Sequence, residues 1–337
     1  MNRKFVKALQ FVFFLFLGLV LLFFAFRGID LQELLQEIKQ ADYRWVALSL
    51  IFAVLALVFR TLRWQLLIET LDEKPKKINI FHAINVGYLA NFVFPRIGEI
   101  TRCGVLNRTD HISVGRLFGT VVVERVFDLL MAALLLCLIL LLRFGEVGDF
   151  IAENIMQPMM NKIPEMMNIV WLIAAMVMVL LAFFVFYWIF RTQLSEISAL
   201  RKMKDLIRGV VKGIQSAYRI RNFGLFAASN FLIFGMYFLQ TYVMFFALKS
   251  TSSLGLTDAL FILVLSTLAF IVPVQGGIGA YHWIISMGLT IFGLSREVGM
   301  VYATISHSVT AVLFILLGTV SLIYVFRNQK KSLTFVA

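Results

Sequence analysis

Hydrophobic positions in this chain come in long unbroken runs rather than in alternation. Apolar stretches fill about Phe5 to Phe26, Trp45 to Ile68, Val114 to Leu142, Ile169 to Phe190, Phe223 to Leu248 and Val298 to Phe326. A helix crosses a bilayer core with roughly 20 apolar residues, and none of these runs shows the period-2 pattern of a barrel strand. The pattern predicts an all-α, polytopic membrane helix bundle. Two further regions are apolar but short and interrupted. Phe81 to Phe94 stops at Pro95, and the pair Leu256 to Val272 and Ile278 to Phe292 is split by PVQGGIG. A proline removes a backbone donor and a glycine admits unusual backbone angles; such turns survive at membrane depth only when buried in protein or lining a watery cavity. The expectation is about eight spans with one or two re-entrant hairpins, around Pro95 and Pro273. Residues 256–292 fit either two thin spans or a hairpin, and the last helix returns to the same side in both cases. Interrupted segments of this kind point to a transporter's substrate site.

Polar positions between the runs set the orientation. The stretch Arg191 to Arg221 holds eight basic residues against Glu196 and Asp205, whereas Arg143 to Glu165 holds two basic residues against four acidic ones. Basic loops stay on the cytoplasmic side, so both termini are expected in the cytoplasm of a multi-pass protein of the cell inner membrane. Within 191–221, Leu206, Ile207, Val210, Val211 and Ile214 recur at helical spacing. This basic connector reads as an interfacial amphipathic helix or as a solvated linker. A second amphipathic pattern, Leu31, Leu34, Leu35 and Ile38, follows the first run, and its helix is expected to lie on the membrane. The basic start MNRK precedes an apolar run longer than a signal-peptide core, so it reads as a retained helix. Residues 1–337 read as a single integral membrane domain.

Composition sharpens this picture. With 61% hydrophobic and only 15% charged residues, the net charge of +12 is explained by cytoplasmic loops rather than by nucleic acid. Cys103 and Cys137 form no spaced pair, so neither a disulfide framework, a metal site nor a cofactor is expected. No GxxxxGK[ST], GxSxG or paired-aspartate signature occurs, and an enzyme is not expected.

The candidate chemistry is the set of charges inside the apolar pattern. FPRIGEITR places Arg96, Gly98, Glu99 and Arg102 at the first interruption, and ERVFD places Glu124 and Asp128 four apart on one helical face with Arg125 about 100° around. Ionisable groups at such depth are functional candidates by default. One carboxylate is expected to pair with Arg125, Arg96 or Arg102 while the other keeps a raised pKa and carries a proton. A purely structural ion network that pins the hairpin explains the same residues. RTLRW puts Arg60, Arg63 and Trp64 on one helical face; Arg60 is deep enough to face a cavity, whereas Arg63 fits either a phosphate site or, slightly better, snorkelling to the interface with Trp64 in the aromatic belt. Arginine's planar fork suits phosphate. In PVQGGIGAYHW, Gln275, Gly276, Gly277 and Gly279 offer backbone N–H groups to an anion or else permit tight helix packing, and His282 adds a titratable or merely hydrogen-bonded ring.

In this order, RTLRW, FPRIGEITR, ERVFD and PVQGGIG resemble the lysylphosphatidylglycerol synthase transmembrane region, a flippase-like family also called UPF0104. The resemblance runs from about Phe5 to Phe326. It implies an eight-span bundle with re-entrant elements and a role in moving an anionic lipid-linked head group between leaflets. The cargo would be an aminoacylated phospholipid or a polyprenyl-phosphate-linked sugar. It places Arg96, Gly98, Glu99 and Arg102, then Glu124, Arg125 and Asp128, then Pro273, Gly276, Gly277 and Gly279 on the family's motifs. The implied partners are membrane lipids, with a lipid-modifying enzyme or glycosyltransferase alongside. Many relatives carry an acidic residue where this chain has His282, and no aminoacyl-transfer domain follows the last run, so synthase activity is not implied. A membrane-embedded enzyme acting on polyprenyl phosphate and a scaffold for a glycosyltransferase are the rival readings.

Overall fold

The computed structural model describes residues 31–143 and 220–334, together with isolated positions among 16–27 and at 145 and 178. In these the chain forms helices α1 (Leu31–Gln40), α2 (Tyr43–Glu69), α3 (Lys77–Val93), α4 (Gly98–Asp110) and α5 (Val114–Leu142). After the undescribed stretch follow α6 (Phe223–Phe245), α7 (Leu256–Ala269), α8 (Ala280–Thr290) and α9 (Arg296–Thr334), with no strand among the described residues. Four helices, α2, α5, α6 and α9 over Arg296–Arg327, are long and apolar enough to cross a membrane. They coincide with four of the runs expected to span. The expected spans at 5–26 and 169–190, apart from those isolated positions, and the basic connector 191–221 except its last two residues lie outside the described residues.

Helix boundaries follow local chemistry. The Asp42 carboxylate accepts from the Arg44 N–H at 3.0 Å to start α2, and the Asn222 side chain accepts from the Leu225 N–H at 3.2 Å to start α6. At α7 the Asp258 carboxylate reaches back to the Gly255 N–H at 2.7 Å, the acidic half of a capping box. Helix α4 stops where His111 turns left-handed, with φ of 59°.

Helices α3 and α4 form a tight hairpin because glycine faces glycine. A Cβ built on Gly98 would lie 2.2 Å from the Gly87 carbonyl oxygen, so neither helix tolerates a side chain there. The turn carries Pro95 and Arg96; Arg96 has φ of 60°, a left-handed angle that costs a non-glycine residue of order 1 kcal/mol. The Gly98 N–H, one of the orphan donors at the start of α4, donates to Asn91 Oδ1 at 2.7 Å. Helices α7 and α8 form the second hairpin, packed closely where Gly288 meets Leu265. Its turn needs positive φ at Gly276, Gly277 and Gly279.

The two turns meet. Arg96 Nη2 donates to the Ile271 carbonyl, Gln275 Nε2 donates to the Val93 carbonyl at 3.4 Å, and Gly276 lies so close to the Phe92 ring that a Cβ would come within 2.5 Å of it. Each hairpin enters from a different end of the bundle. At the first end Leu57, Trp64, Ile80, Leu106 and Leu117 form one core, and at the second end Met244, Phe245, Ile262, Ile285 and Met300 form another. Helix α9 runs along both, held to α3 by the His82 to Ser321 hydrogen bond of 2.9 Å and by Gly318 against Leu89. The second end is closed by the Asp42 N–H to Ala247 carbonyl bond of 2.8 Å and by the Arg143 to Asp258 ion pair of 2.5 Å. Helix α1 docks there through Leu34, which is buried.

Candidate functional site

Spacing brings the charges together. Arg60 and Arg63 lie three apart on α2, and Glu124 and Asp128 lie four apart on α5, so each pair shares a face. Arg60 stands nine residues from the end of α2 at Glu69, and Glu124 ten from the start of α5 at Val114. At 1.5 Å per residue both sit about 14–15 Å above the first end, near half the roughly 30 Å depth of a hydrocarbon core. Arg102 enters from α4 and Arg125 from α5.

Glu124 is the hub of this cluster. Its Oε1 lies 2.8 Å from Arg60 Nη2, 3.0 Å from Arg63 Nη2 and 2.8 Å from Arg125 Nη2, while its Oε2 lies 3.0 Å from Arg102 Nη1. Asp128 takes Arg63 Nη1 at 2.6 Å, Arg125 Nη2 at 3.1 Å and Arg60 Nη2 at 3.8 Å. Neutral groups complete the frame. Arg63 Nη1 also donates to Asn230 Oδ1 at 2.7 Å and Arg60 Nη1 to the Tyr237 hydroxyl at 3.1 Å, both on α6. The Arg102 guanidinium lies 4.4 Å over the Trp64 ring, whose indole N–H donates to Thr120 Oγ1 at 3.0 Å. Arg60 sits over Tyr88 at 5.6 Å.

Two features decide what the cluster can do. First, it is cationic: four guanidinium groups meet two carboxylates. Glu99, within electrostatic reach of Arg125, reduces the excess to one, and its Oε2 is buried with no hydrogen-bond partner. Arg60 Nε, Arg63 Nε, and Arg102 Nε and Nη2 are likewise buried donors without an acceptor. Second, it is graded in access. The side chains of Arg63 and Glu124 are 0% and 1% exposed, that of Arg102 6%, but Asp128 reaches 20% and Arg125 43%. The cluster is sealed on the α2 and α6 side and open at Arg125. A cationic cluster open at one edge favours an added acceptor of opposite charge.

The structure places the sequence candidates in three places. Arg60, Arg102, Arg125, Glu124 and Asp128 meet directly, and Glu99 lies at their edge. Arg96 does not join them: it is exposed at the first turn, bonded to Ile271. Gln275, Gly276, Gly277 and Gly279 form the second turn, where Gly276 and Gly277 pack against the rings of Phe92 and Phe270. His282 lies behind that turn with its ring 4.9 Å from His307, and His307 Nε2 donates to the Gly276 carbonyl at 2.8 Å. Two expectations are overturned. Neither carboxylate stands apart to carry a proton, since Glu124 meets four arginines and Asp128 three. Of the two readings of Arg63 the snorkelling one fails: Arg63 and Trp64 are 0% exposed and form the floor of the cluster. The three-residue spacing of Arg60 and Arg63 was the available signal. Asn230 and Tyr237 carried none, because their role depends on α6 packing against α2.

A bundle of apolar helices with a mid-depth ion cluster is a multi-pass membrane protein, and four spanning helices carry that class here. The model of the lysylphosphatidylglycerol synthase transmembrane region matches residues 8–318, so the chain belongs to that family. It is also similar to the UPF0104 membrane protein MJ1595 of Methanocaldococcus jannaschii, 30% identical over 112 residues, which is 32% of this chain and 33% of the relative. The match thus spans about a third of that curated relative. No solved structure matches.

Proposed function

We propose that this protein is a lipid flippase that moves an anionic lipid-linked head group between leaflets, with its phosphate held at Arg60, Arg102 and Arg125. The observation that carries this reading is the cationic excess at mid-depth in a cluster that opens at Arg125. A net cation there is costly in hydrocarbon, and a phosphate that shares the site relieves the cost while its own charge is shielded. An excess of one suits a phosphodiester, which carries one negative charge, whether on a phospholipid or a polyprenyl-phosphate-linked sugar. Glu124 and Asp128 keep the arginines aligned, and Glu99 meets a hydroxyl, an amine or a proton on the head group.

Both hairpins are re-entrant in this reading. Helix α3 is 17 residues and α7 is 14, so each reaches about 21–26 Å into the layer and stops where the turns meet. Lys74, Lys76, Lys77, Arg108 and Arg116 gather at the first end, which makes that end cytoplasmic under the positive-inside rule.

The test is reconstitution in liposomes with a labelled phosphatidylglycerol or polyprenyl phosphate and a quencher confined to the outside. Protein-dependent transfer without covalent change, slowed about tenfold or more by Arg60→Gln, is expected, equivalent to about 1.4 kcal/mol of barrier. A new covalent product would turn the reading to an enzyme; no transfer above protein-free vesicles would leave a scaffold.

A further inference from the structure

We infer that Arg96 is a second station for the lipid phosphate, met after the charged cluster as the head group crosses; this rests on the flippase reading. Arg96 is exposed at the tip of the first hairpin, its hydrogen bond goes to the Ile271 carbonyl, and no carboxylate pairs with it among the described residues. Glu99, three residues on, is turned inward, with Oε2 buried and its charge acting on Arg125. One N–H of the Arg96 fork is used by Ile271, and the others remain for a phosphate.

Its depth follows from the two hairpins. Along α3, Val93 lies about 24 Å from Lys77 at the first end, and along α7, Ala269 lies about 20 Å from Leu256 at the second. Together these lengths match the roughly 40–45 Å of a bilayer with its interfaces, so the tips meet near its middle. That is too deep for an arginine to snorkel to either surface. Arg102 lies four residues down α4 from Gly98, which puts the tip at least about 6 Å nearer the second end than the root of Arg102. A phosphate leaving the cluster in that direction meets Arg96 next.

The surroundings point to a lipid as the carrier of that phosphate. Val93, Ile97, Phe270 and Ile271 rim the tips, and all four are exposed apolar side chains. A free anion does not cross hydrocarbon to reach a cation, whereas a lipid brings its phosphate to Arg96 with its chains against this rim. Tying the turns together needs no charge, because Gln275, a neutral amide, donates to the Val93 carbonyl across the same contact at 3.4 Å. Arg96 also holds a φ of 60°, an angle that glycine adopts freely and arginine does not. A strained cation at this depth serves function rather than folding.

The test uses the full chain in phosphatidylcholine vesicles containing phosphatidylglycerol with a diazirine on its glycerol head group. Photolabelling is expected on 93–97 and 270–271 as well as beside Arg125, and Arg96→Gln is expected to remove the first label and keep the second. Label beside Arg125 alone in the native chain would overturn the station. Inorganic phosphate in large excess is expected not to compete for the label at 93–97; competition would mean that a water-borne anion fills the site and would overturn the lipid assignment. In parallel, Arg96→Gln is expected to slow transfer of labelled phosphatidylglycerol about tenfold or more while melting near the native temperature. Arg96→Lys, which keeps the charge, is expected to stay within about threefold of the native rate. A native rate in Arg96→Gln, or an equal loss in both variants, overturns the station and leaves the flippase reading standing. If the native chain transfers no lipid, the flippase reading fails, and head-group label at 93–97 that Arg96→Gln removes still decides whether Arg96 holds a phosphate.

Discussion

The two hairpins share a shape and differ in chemistry. Each is a pair of short helices closed by glycine contacts, each ends in a turn with left-handed residues, and the turns touch. Yet the first hairpin sends Arg102 into an ion cluster, whereas the second is backed by neutral groups: His307 on the Gly276 carbonyl, Tyr281 on Ser306 at 3.1 Å, and His282 beside them. The difference comes from the neighbours. Helices α2 and α5 bring three arginines and two carboxylates to the first hairpin, and α9 brings hydroxyls and an imidazole to the turn of the second. The two hairpins share a shape, but the flanking helices decide whether ions are held beside them.

If that is right, the largest effect on folding comes from removing the hub. Glu124→Ala leaves four guanidinium groups converging with only Asp128, which does not pair with Arg102, and breaking such a buried pair costs about 3–5 kcal/mol. Thermal unfolding of the detergent-solubilised protein should show a loss far greater than for Asp128→Asn, which leaves the hub in place. Equal losses would mean that the two carboxylates do not divide their roles.

Next comes Gly98→Ala. The new methyl would meet the Gly87 carbonyl at 2.2 Å, and neither backbone can move without parting α3 from α4. Overpacking of this kind costs about 1–3 kcal/mol, and it should also abolish transfer, because Arg102 is carried by the displaced helix. On the second hairpin His307→Phe removes one hydrogen bond to the Gly276 carbonyl, a loss of about 1 kcal/mol. Its transfer rate should stay within about threefold of native, a barrier change under 1 kcal/mol. A His307 variant that stopped transfer outright would erase the contrast between the hairpins.

How much of this could be read from residues alone differs by scale. The long runs were legible because a bilayer imposes a length, and Pro95 and PVQGGIG were legible because they interrupt it. Glu124 and Asp128 stood out as charges within an apolar run. For Arg63 snorkelling was the favoured of two readings because, on α2 alone, an arginine six residues before the helix end looks interfacial; its burial is created by Asn230 on α6 and by Asp128 on α5. The meeting of the turns was equally invisible, since it joins Arg96 to Ile271, 175 residues apart in sequence. The glycines of PVQGGIG fitted an anion cradle or packing, and their contacts with Phe92 and Phe270 are packing contacts.

The smallest effect on folding is also the sharpest test of the contrast. Arg125 is 43% exposed, and its neighbours on Glu124 already include three other arginines. A half-exposed ion pair is screened, so Arg125→Gln should cost less than about 1 kcal/mol of stability. If the cluster is purely structural, transfer should be equally indifferent. If the opening at Arg125 is where a phosphate first meets the arginines, transfer should fall about tenfold or more while the protein melts near its native temperature. Arg63→Gln provides the opposite corner, since Arg63 is 0% exposed and bonds Asp128 and Asn230 at once, so stability and transfer should fall together. Only a site with a sealed structural side and an open functional side separates the two arginines in this way.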